Sequence, residues 1–295
     1  MTIQPNPNQN SNKQFTDLEK SVMFDKHTES PRTNKFDKFF ESGIYTCKNC
    51  EVPLYSSKFK FDSGCGWPAF DDEIQGAILK QKDSDKYRTE ILCNNCGIHL
   101  GHIFTGEGLT SKNLRHCVNS ASMDFIDENS MDSSCKFQVA IFGAGCFWGV
   151  QHYLDKLQGV LTTEVGYCGG NIEFPTYKQV CTGNTGHIEA VKAVFDSSIL
   201  SYQDLVKYFF EIHNFEQKDG QGNDIGSQYI SAIFVQDNVH RETVQNVIEL
   251  LESKNYNVAT KILDFSRFYC AEDYHQDYYT KTGGSPYCHF HKKIF

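Results

Sequence analysis

The sequence predicts two different domains, a mainly-β domain followed by an α+β domain. Its 295 residues are long for one ordinary domain and sufficient for two, each with its own core. Short apolar stretches between Gly, Asn, Asp and Ser clusters run through about residues 21–126 and are typical of strands. From residue 137 onward, strand and helix patterns are interspersed. No repeat relates the two halves, so we expect two folds rather than a duplication.

Polar segments set the expected domain boundaries. Residues 1–20 are rich in Asn, Gln, Ser and Lys, and we expect them to form a disordered tail. Residues 127–136 contain the run DENSMDSS, which has no periodicity and is interpreted as a linker. The first domain is therefore expected over residues 21–126 and the second over residues 137–295.

The second half contains clear helix starts and strand candidates. Strands are predicted at 137–142, 161–167, 188–195 and 229–235. One helix is predicted to begin at Cys146, and others to be capped by Ser201 and Asp237. The helix after Asp237 is expected to bury a stripe made of Val244, Val247, Leu250 and Leu251.

Composition excludes several classes of function. A net charge of −9 argues against broad binding of nucleic acid. No apolar run is long enough to cross a bilayer. The first twenty residues lack the apolar core of a signal peptide, so we expect a cytoplasmic protein. Twelve cysteines in a reducing compartment indicate metal binding or thiol chemistry rather than a disulfide scaffold.

Four of these cysteines form two CxxC turns in the first domain, Cys47–Cys50 and Cys93–Cys96. Two such turns supply four thiolates, which suits a closed, tetrahedral, structural Zn²⁺ site. The alternative is a pair of redox dithiols of the thioredoxin type, which usually precede a helix. No helical pattern follows either turn, so we favour zinc.

Two more thiols in this half lie in distinctive segments. Cys65 lies in GCGWPAF (64–70) and Cys117 in RHCVNSAS (115–122), with the segment HLGHIF (99–104) between them. Together with the CxxC turns, these segments resemble the type-B methionine sulfoxide reductases, which act on the R epimer of methionine sulfoxide. The resemblance covers about residues 21–126 and implies the β-fold of that family.

The resemblance implies a role for each matched residue. Cys117 would be the nucleophile and Cys65 the resolving thiol, and Trp67 would form the pocket for the substrate methyl group. A histidine titrates near neutral pH and can protonate an oxygen, and a neighbouring arginine favours a thiolate. Accordingly, the residues that would hold and protonate the sulfoxide oxygen or stabilise the thiolate are His99, His102, Asn119 and Arg115.

The strongest single motif is GAGCFWG (143–149), which follows a predicted strand and opens a predicted helix. A thiol at a helix N-terminus meets the positive end of the dipole, which lowers its pKa. Phe147 and Trp148 add an apolar face suited to a methyl thioether. The alternative is a buried structural cysteine in a glycine-rich turn.

Glu189 stands out from its strand pattern. Under strand alternation it shares a face with Val191, Ala193 and Phe195. A carboxylic acid on an apolar face is desolvated, so its pKa rises and it can act as a general acid at neutral pH. The alternative is an edge strand that exposes Glu189 to solvent.

The second half resembles the type-A methionine sulfoxide reductases, which reduce the S epimer, over nearly all of residues 137–295. Besides GAGCFWG, the matched blocks include residues 164–167, 175–177, 185–190, 221–224, 226–233 and 271–276. The family implies an α+β two-layer sandwich with a ferredoxin-like core. It implies that Cys146 attacks the sulfur and Glu189 protonates the oxygen. It further implies hydrogen bonds from Tyr177 and Tyr229, support from Asp224, and recycling by Cys288.

Cys288 follows the segment GGSPY (283–287), which we expect to be mobile enough to bring this thiol to Cys146. Four cysteines have no role in this scheme, and we interpret them as structural or incidental: Cys135, Cys168, Cys181 and Cys270.

Together the resemblances imply a bifunctional, monomeric oxidoreductase that reduces both epimers, in oxidised proteins or free methionine sulfoxide. Each half would pass through a sulfenic acid and a disulfide, which an external dithiol such as thioredoxin would reduce. The alternative is a non-enzymatic zinc and thiol protein that senses redox conditions. Turnover distinguishes them, since a sensor would produce no methionine with a dithiol reductant.

Overall fold

A computed structural model describes residues 13–83 and 87–295. The chain divides between Ser130 and Met131 into two compact units, each with its own hydrophobic cluster. The division lies within residues 127–136, which we propose as the linker. A first domain over 21–126 and a second over 137–295 likewise remain our proposal.

The first unit is rich in strands and contains one α-helix among its described residues. Its elements are α1 (Asp17–Asp25), β1 (Gly43–Cys47), β2 (Pro53–Ser56), β3 (Lys60–Phe61), β4 (Ala69–Phe70), β5 (Ile78–Lys82), β6 (Thr89–Cys93), β7 (His99–Thr105), β8 (Leu114–Val118) and β9 (Met123–Asp127). Short 3₁₀ turns occupy Ser57–Phe59, Ser120–Ser122 and Glu128–Ser130.

Two antiparallel sheets build this unit. One has the strand order β2-β1-β9, and the other has the order β3-β4-β8-β7-β6-β5. Aromatic side chains from both sheets fill the core. Phe70 stacks on Tyr55 at 4.3 Å between ring centroids and meets Tyr45 edge-on at 5.0 Å. Aromatic pairs of this kind add to the stabilisation from apolar burial alone.

Helix α1 corrects part of the expectation for the N-terminus. Residues 17–20, assigned to a disordered tail, are helical because Thr16 and Glu19 form a reciprocal capping box. Val22 and Met23 then anchor the helix, since both are fully buried. The tail predicted for residues 1–12 lies outside the described residues.

The second unit alternates strands and helices. Its elements are β10 (Phe137–Ala144), α2 (Phe147–Leu154), β11 (Val160–Cys168), α3 (Tyr177–Val180), β12 (Ile188–Asp196), α4 (Tyr202–Glu211), β13 (Gly220–Gln221), β14 (Asp224–Ile225), β15 (Ser231–Val235), α5 (Asn238–Ser253), β16 (Lys261–Asp264), β17 (Phe268–Cys270) and α6 (Tyr278–Thr282). A 3₁₀ turn at Ser227–Tyr229 precedes β15.

Six of these strands form one sheet with the order β16-β15-β10-β12-β11-β17. The β15–β16 pair is parallel, and the other neighbours are antiparallel. Alternate residues of β10, β11, β12 and β15 pack with α2, α4 and α5 in a single apolar cluster. Helices and sheet therefore share one core, as the alternation of strand and helix patterns predicts.

The predicted helix caps of this unit are confirmed. The Ser201 side chain accepts a hydrogen bond from the Asp204 backbone N–H, and Asp237 accepts one from His240. The stripe predicted after Asp237 is wrong at one position, because Leu250 is 41% exposed while Leu251 is buried. Adjacent helical residues point about 100° apart, so only one of them can face the sheet.

Across residues 13–83 and 87–295, every helix is too short or too polar to span a membrane.

Candidate active sites

The two CxxC turns of the first unit converge on one point. The four sulfur atoms of Cys47, Cys50, Cys93 and Cys96 all lie within 4.8 Å of one another. Each turn follows a strand and is closed by the same hydrogen bond, from the N–H of residue i+4 to the carbonyl of its first cysteine. Neither turn opens a helix, in contrast to the dithiol alternative, and the four thiols could hold one metal ion.

Sheet pairing brings the first reactive thiol pair together. Cys117 lies on β8, where Ala69 of β4 is its partner on one side and His102 of β7 on the other. The loop before β4 places the Cys65 sulfur 3.9 Å from the Cys117 sulfur. Close strand approach requires glycine at 101, since a Cβ there would lie 2.0 Å from the Cys117 carbonyl oxygen.

Cys117 faces a cavity of about 130 Å³. Three other residues singled out in the sequence also line it: Trp67, His102 and Asn119. The remaining lining comes from Thr28, Arg88, Gly101, Phe104 and Val118. Cys65, His99 and Arg115 do not line this cavity, so the structure brings only part of the predicted set to it.

Carboxylates hold the two histidines of this site, His99 and His102. His99 Nδ1 lies 2.7 Å from Glu90 Oε1, and His102 Nε2 lies 2.7 Å from Asp83 Oδ2. Burial lowers the pKa of His102, and Asp83 partly opposes this effect. Although burial of Glu90 works against its ionisation, hydrogen bonds from His99, Gln81 and Lys26 hold its pKa at about 2. The histidine rings meet edge-on at 5.4 Å.

The charge on the thiol pair differs from the sequence expectation. The hydrogen bond between the two thiols lowers the pKa of Cys65 to about 5. The same hydrogen bond, together with burial, raises the pKa of Cys117. Arg115 still favours the Cys117 thiolate, but as a smaller effect. Its guanidinium is held by Glu107 in two hydrogen bonds of 2.7 and 2.8 Å, which the sequence did not indicate.

A further buried acid, Glu29, organises this site and escaped the sequence analysis. Its carboxylate accepts the backbone N–H groups of Ser120 at 2.5 Å and Ala121 at 2.9 Å. Its backbone carbonyl accepts the Trp67 indole N–H at 3.0 Å, and its N–H donates to Asn119 Oδ1 at 3.1 Å. Glu29 lies in a polar stretch without a pattern, so no sequence signal points to it.

In the second unit, Cys146 is the N-cap residue of α2. Gly145 makes the turn after β10 with φ +87°, where a Cβ would lie 2.4 Å from Gln221 Cβ. Only 7% of Cys146 is exposed. The neighbouring Cys288 thiol and burial raise the pKa of this thiol, whereas the Trp148 backbone N–H lowers it. The helix-start effect predicted from the sequence is present but is outweighed here.

Glu189 lies on the buried face of β12, between β10 and β11, so the edge-strand alternative is wrong. It is 1% exposed, and its Oε2 accepts the Phe147 backbone N–H at 3.2 Å. Burial, reinforced by the nearby Cys146, raises the pKa of Glu189 well above its ordinary value of 4.5. These surroundings therefore favour the neutral carboxylic acid over the carboxylate.

The predicted hydroxyl groups converge on the same acid. Tyr177 begins α3 and Tyr229 ends the turn before β15, and their side chains lie close enough to influence each other's pKa. Burial and the proximity of Glu189 raise the pKa of Tyr229 to about 12 and that of Tyr177 further. Asp224, on β14, accepts the Tyr287 hydroxyl at 3.1 and 3.2 Å.

The aromatic pair after Cys146 is arranged unequally. Phe147 is 1% exposed and belongs to the core, whereas Trp148 is half-buried with one face stacked on Tyr278 at 3.8 Å. His275 lies against both rings and against Tyr177, and its Nδ1 accepts the Trp148 indole N–H at 3.2 Å. Residues 271–276 form one of the matched blocks, but His275 within that block was not predicted to be a site residue.

Glu272, in the same segment, was also missed. Its carboxylate accepts the Tyr167 hydroxyl at 2.8 Å and the Tyr177 backbone N–H at 2.9 Å. It therefore fixes the start of α3 and with it the position of the Tyr177 ring.

The C-terminal segment is docked rather than loose. Cys288 and His289 are 9% and 4% exposed, and the Cys288 thiol lies close enough to Cys146 to raise the pKa of that thiol. Further along, the Glu211 carboxylate accepts the backbone N–H groups of Ile294 at 2.7 Å and Phe295 at 3.0 Å. These contacts already place Cys288 beside Cys146, so the thiol need not swing across the surface.

Comparisons with known proteins agree with this division into two sites. The family described as Peptide methionine sulfoxide reductase matches residues 138–295, and the SelR domain matches residues 15–127. These matches define a class of oxidoreductases that act on methionine sulfoxide. The chain belongs to the peptide methionine sulfoxide reductase family, with a type-B domain preceding a type-A domain, and both domains reduce peptide methionine sulfoxide.

Individual relatives match the second domain. The peptide methionine sulfoxide reductase MsrA of Sulfolobus acidocaldarius is 42% identical over 51% of this chain and 86% of its own length. That of Methanococcoides burtonii is 47% identical over 48% of this chain and 95% of its own length. The crystal structure of reduced Mxr1 from Saccharomyces cerevisiae aligns with 28% identity and a TM-score of 0.52, over 56% of this chain and 96% of that one.

Proposed function

We propose that the two domains divide the epimers of methionine sulfoxide between them. The first would reduce the R epimer at Cys117 and the second the S epimer at Cys146, as the family resemblance of each domain implies. The observation that supports two complete sites is that each attacking thiol has its own partner thiol, Cys65 beside Cys117 and Cys288 beside Cys146. Each domain then completes its cycle alone.

In the first domain, Cys117 attacks the sulfoxide sulfur and becomes a sulfenic acid. It is proposed over Cys65 because it alone of the pair lines the cavity with Trp67, where the substrate methyl group would pack. The shared hydrogen bond gives its proton a route to the Cys65 thiolate. His102, Asn119 and Arg115 would act on the oxygen or the thiolate. His99 would support His102 through their ring contact.

In the second domain, Cys146 attacks sulfur while Glu189 donates its proton to the oxygen. The raised pKa of Glu189 supports this role, since only the protonated acid can donate. Tyr177 and Tyr229 would hydrogen-bond the oxygen, Asp224 would orient the tail through Tyr287, and Phe147 and Trp148 would shape the thioether pocket. The proton lost by Cys146 restores Glu189, so the acid is regenerated in each turnover.

Both cycles end in a disulfide, with the sulfoxide oxygen leaving as water. Cys65 closes on Cys117, and Cys288 closes on Cys146. Reduction of either disulfide needs an external dithiol, and thioredoxin is the proposed reductant because it presents two thiols of suitable potential. The substrates would be oxidised proteins or free methionine sulfoxide, and the proposed compartment is the reducing cytoplasm.

A structural Zn²⁺ is proposed for the four-cysteine cluster. Tetrahedral Zn–S bonds of about 2.3 Å place sulfur atoms roughly 3.8 Å apart. Cys47 and Cys96 are separated by 3.6 Å, as are Cys50 and Cys93, so the cluster fits. Four thiolates leave no position for substrate, and bound metal would supply stability to the β domain. The proposed architecture of the second domain is a two-layer α+β sandwich with a ferredoxin-like core.

Separate epimers test the division of labour. Cys117→Ser should abolish turnover of the R epimer with dithiothreitol or thioredoxin and leave that of the S epimer, and Cys146→Ser should do the reverse. Cys135→Ser, a half-buried thiol outside the scheme, serves as the matched control and should keep both activities. Loss of both activities in either single variant would contradict the two-site proposal.

A further inference from the structure

The tail of the second domain places an imidazole directly beside the recycling thiol. His289 Nδ1 lies 3.0 Å from the Cys288 sulfur, and its Nε2 lies 2.7 Å from the Ala144 carbonyl oxygen. A carbonyl can only accept, so Nε2 bears the ring hydrogen and Nδ1 keeps its lone pair. The ring thus presents a proton acceptor to the thiol.

The position of this ring is fixed by packing. His289 is 4% exposed, and its ring lies against the first turn of α2. A Cβ at Gly149 would approach His289 Nδ1 to 2.2 Å, so the ring reaches this place because residue 149 is glycine. The ring is held on one side by Ala144, at the end of β10, and on the other by the helix that Cys146 caps.

We propose that His289 is the catalytic base of the recycling step in the second domain. This inference rests on the proposed roles of Cys146 and Cys288. It deepens them by assigning a residue to the step in which the sulfenic acid becomes a disulfide.

The step balances without a further reactant. The Cys288 sulfur attacks the sulfenic sulfur of Cys146, forming the S–S bond as the S–O bond breaks. The Cys288 proton moves to His289 Nδ1 and then to the departing hydroxide, which leaves as water. The Cys288 sulfur supplies the electron pair of the S–S bond, and hydroxide leaves with the pair of the S–O bond. The formal oxidation state of the Cys288 sulfur rises by one and that of the Cys146 sulfur falls by one, so no external oxidant is needed.

The electrostatic surroundings favour a neutral ring that is ready to accept. Burial lowers the pKa of His289 to about 4, while the Ala144 carbonyl and Asp224 oppose this effect. The titratable groups around the ring are Cys146, His213, Asp224, Tyr279, Tyr287 and Cys288. Burial lowers the pKa of His213 to about 3, so both imidazoles are neutral in the resting protein between pH 6 and 8, and His289 carries the thiol proton only transiently.

The test separates the two chemical steps in the full chain. One equivalent of methionine-S-sulfoxide is added without reductant. Methionine release reports attack by Cys146, and loss of the second thiol reports disulfide closure. His289→Gln keeps an amide that can donate to Ala144 but removes the base, and His289→Ala removes both. Lys293→Gln, an exposed position on the same tail, is the matched control.

We expect wild-type methionine release in all three variants. Disulfide closure should slow about 100-fold in both His289 variants. In Lys293→Gln it should proceed at the wild-type rate. The sulfenic acid on Cys146 should accumulate and be trapped by dimedone. Closure should be independent of pH between 6 and 8 in the wild type. In His289→Gln it should rise with pH, because solvent hydroxide must then remove the thiol proton.

Closure at the wild-type rate in His289→Gln would overturn the inference. So would loss of methionine release in both His289 variants, because the residue would then be needed for folding or for the first step. A wild-type protein that released no methionine from this epimer would instead contradict the proposed function itself. The failures of the two proposals are therefore distinguishable.

Discussion

The two thiol sites differ in the groups that lie beside the attacking cysteine, which are histidines paired with carboxylates in the first domain and a buried carboxylic acid in the second. In the first domain, His99 and His102 are hydrogen-bonded to carboxylates, and Glu90 is held ionised with a pKa of about 2. In the second, one carboxylic acid, Glu189, is buried among apolar side chains and is held neutral. We propose that the sulfoxide oxygen is protonated in the first site by an imidazole paired with a carboxylate, and in the second by a buried carboxylic acid.

The sites also differ in how the partner thiol reaches the attacking one. Cys65 lies on a loop that a strand pair anchors next to Cys117. Cys288 belongs to a tail that is docked by His289 and Glu211 after the last helix. The first arrangement depends on the integrity of the sheet, and the second on a few tail contacts. Substitutions in one domain should therefore change the activity or stability of that domain and leave the other domain unchanged.

The largest expected effect comes from removing the acid of the second site. Glu189→Gln keeps a hydrogen-bonding side chain but cannot donate a proton. The S-epimer kcat should fall by about 10²–10⁴-fold while R-epimer turnover is unchanged. Epimer-resolved kinetics measure this, and equal loss for both epimers would break the contrast between the sites.

The same substitution has a pH-dependent effect on stability. Because the pKa of Glu189 is raised in the folded state, burial of this acid costs no stability from ionisation when the pH is below its ordinary pKa of 4.5. As pH rises above that value, the unfolded chain ionises first and folded stability is lost. Glu189→Gln should therefore raise the melting temperature of the second domain at pH 7 and have no effect near pH 4. A destabilised variant at pH 7 would show that Glu189 is ionised in the fold.

Removal of the metal should affect only the β domain. Cys50→Ser breaks the four-thiol set, so zinc bound per chain should fall and the first domain should unfold at lower temperature. R-epimer activity should be lost with the fold while S-epimer activity stays. Zinc analysis together with calorimetry checks this, and Cys135→Ser is the control because that thiol lies outside the cluster. Full R-epimer activity without metal would exclude the structural role.

Glu90→Gln tests the charge behind the histidines. It removes the carboxylate that His99, Gln81 and Lys26 share, so R-epimer kcat/KM should fall at least about tenfold with little change for the S epimer. Glu90 also has a depressed pKa, so its contribution to stability is present above 4.5 and is lost as pH falls toward about 2. The variant should therefore show a smaller loss of stability on acidification than the wild type, by thermal melts at successive pH values.

The smallest effect is expected from loosening the tail. Glu211→Ala removes the acceptor for the N–H groups of Ile294 and Phe295. Steady-state S-epimer turnover with thioredoxin should fall by roughly two- to tenfold, since ordering the tail would cost free energy in each cycle. Methionine release in a single turnover should not change. Glu242→Ala, at an exposed acid on α5, is the control. An equal fall in turnover in that variant would show that Glu211 has no specific role in docking the tail.

Sequence reasoning worked where local patterns determine structure. The caps at Ser201 and Asp237, the strand face that buries Glu189, and the convergence of the CxxC turns all follow from short-range spacing. It failed where distant segments meet. Glu29 and Glu90 lie in stretches without a distinguishing pattern, and Glu272 lies in a matched block that does not reveal its partners. Only tertiary packing places these three acids beside the sites. The docking of the C-terminal tail was likewise not predicted. A glycine-rich stretch indicates a flexible backbone, but it does not reveal which contacts the residues after it make.

The central claim is that the chain contains two independent thiol sites of opposite epimer preference, and a stoichiometric burst tests it most directly. The fully reduced wild-type chain is mixed with excess sulfoxide in the absence of any reductant, and methionine released per chain is counted. The account predicts one equivalent from the R epimer, one from the S epimer and two from the racemate. A single equivalent from the racemate, or two from either pure epimer, would contradict it.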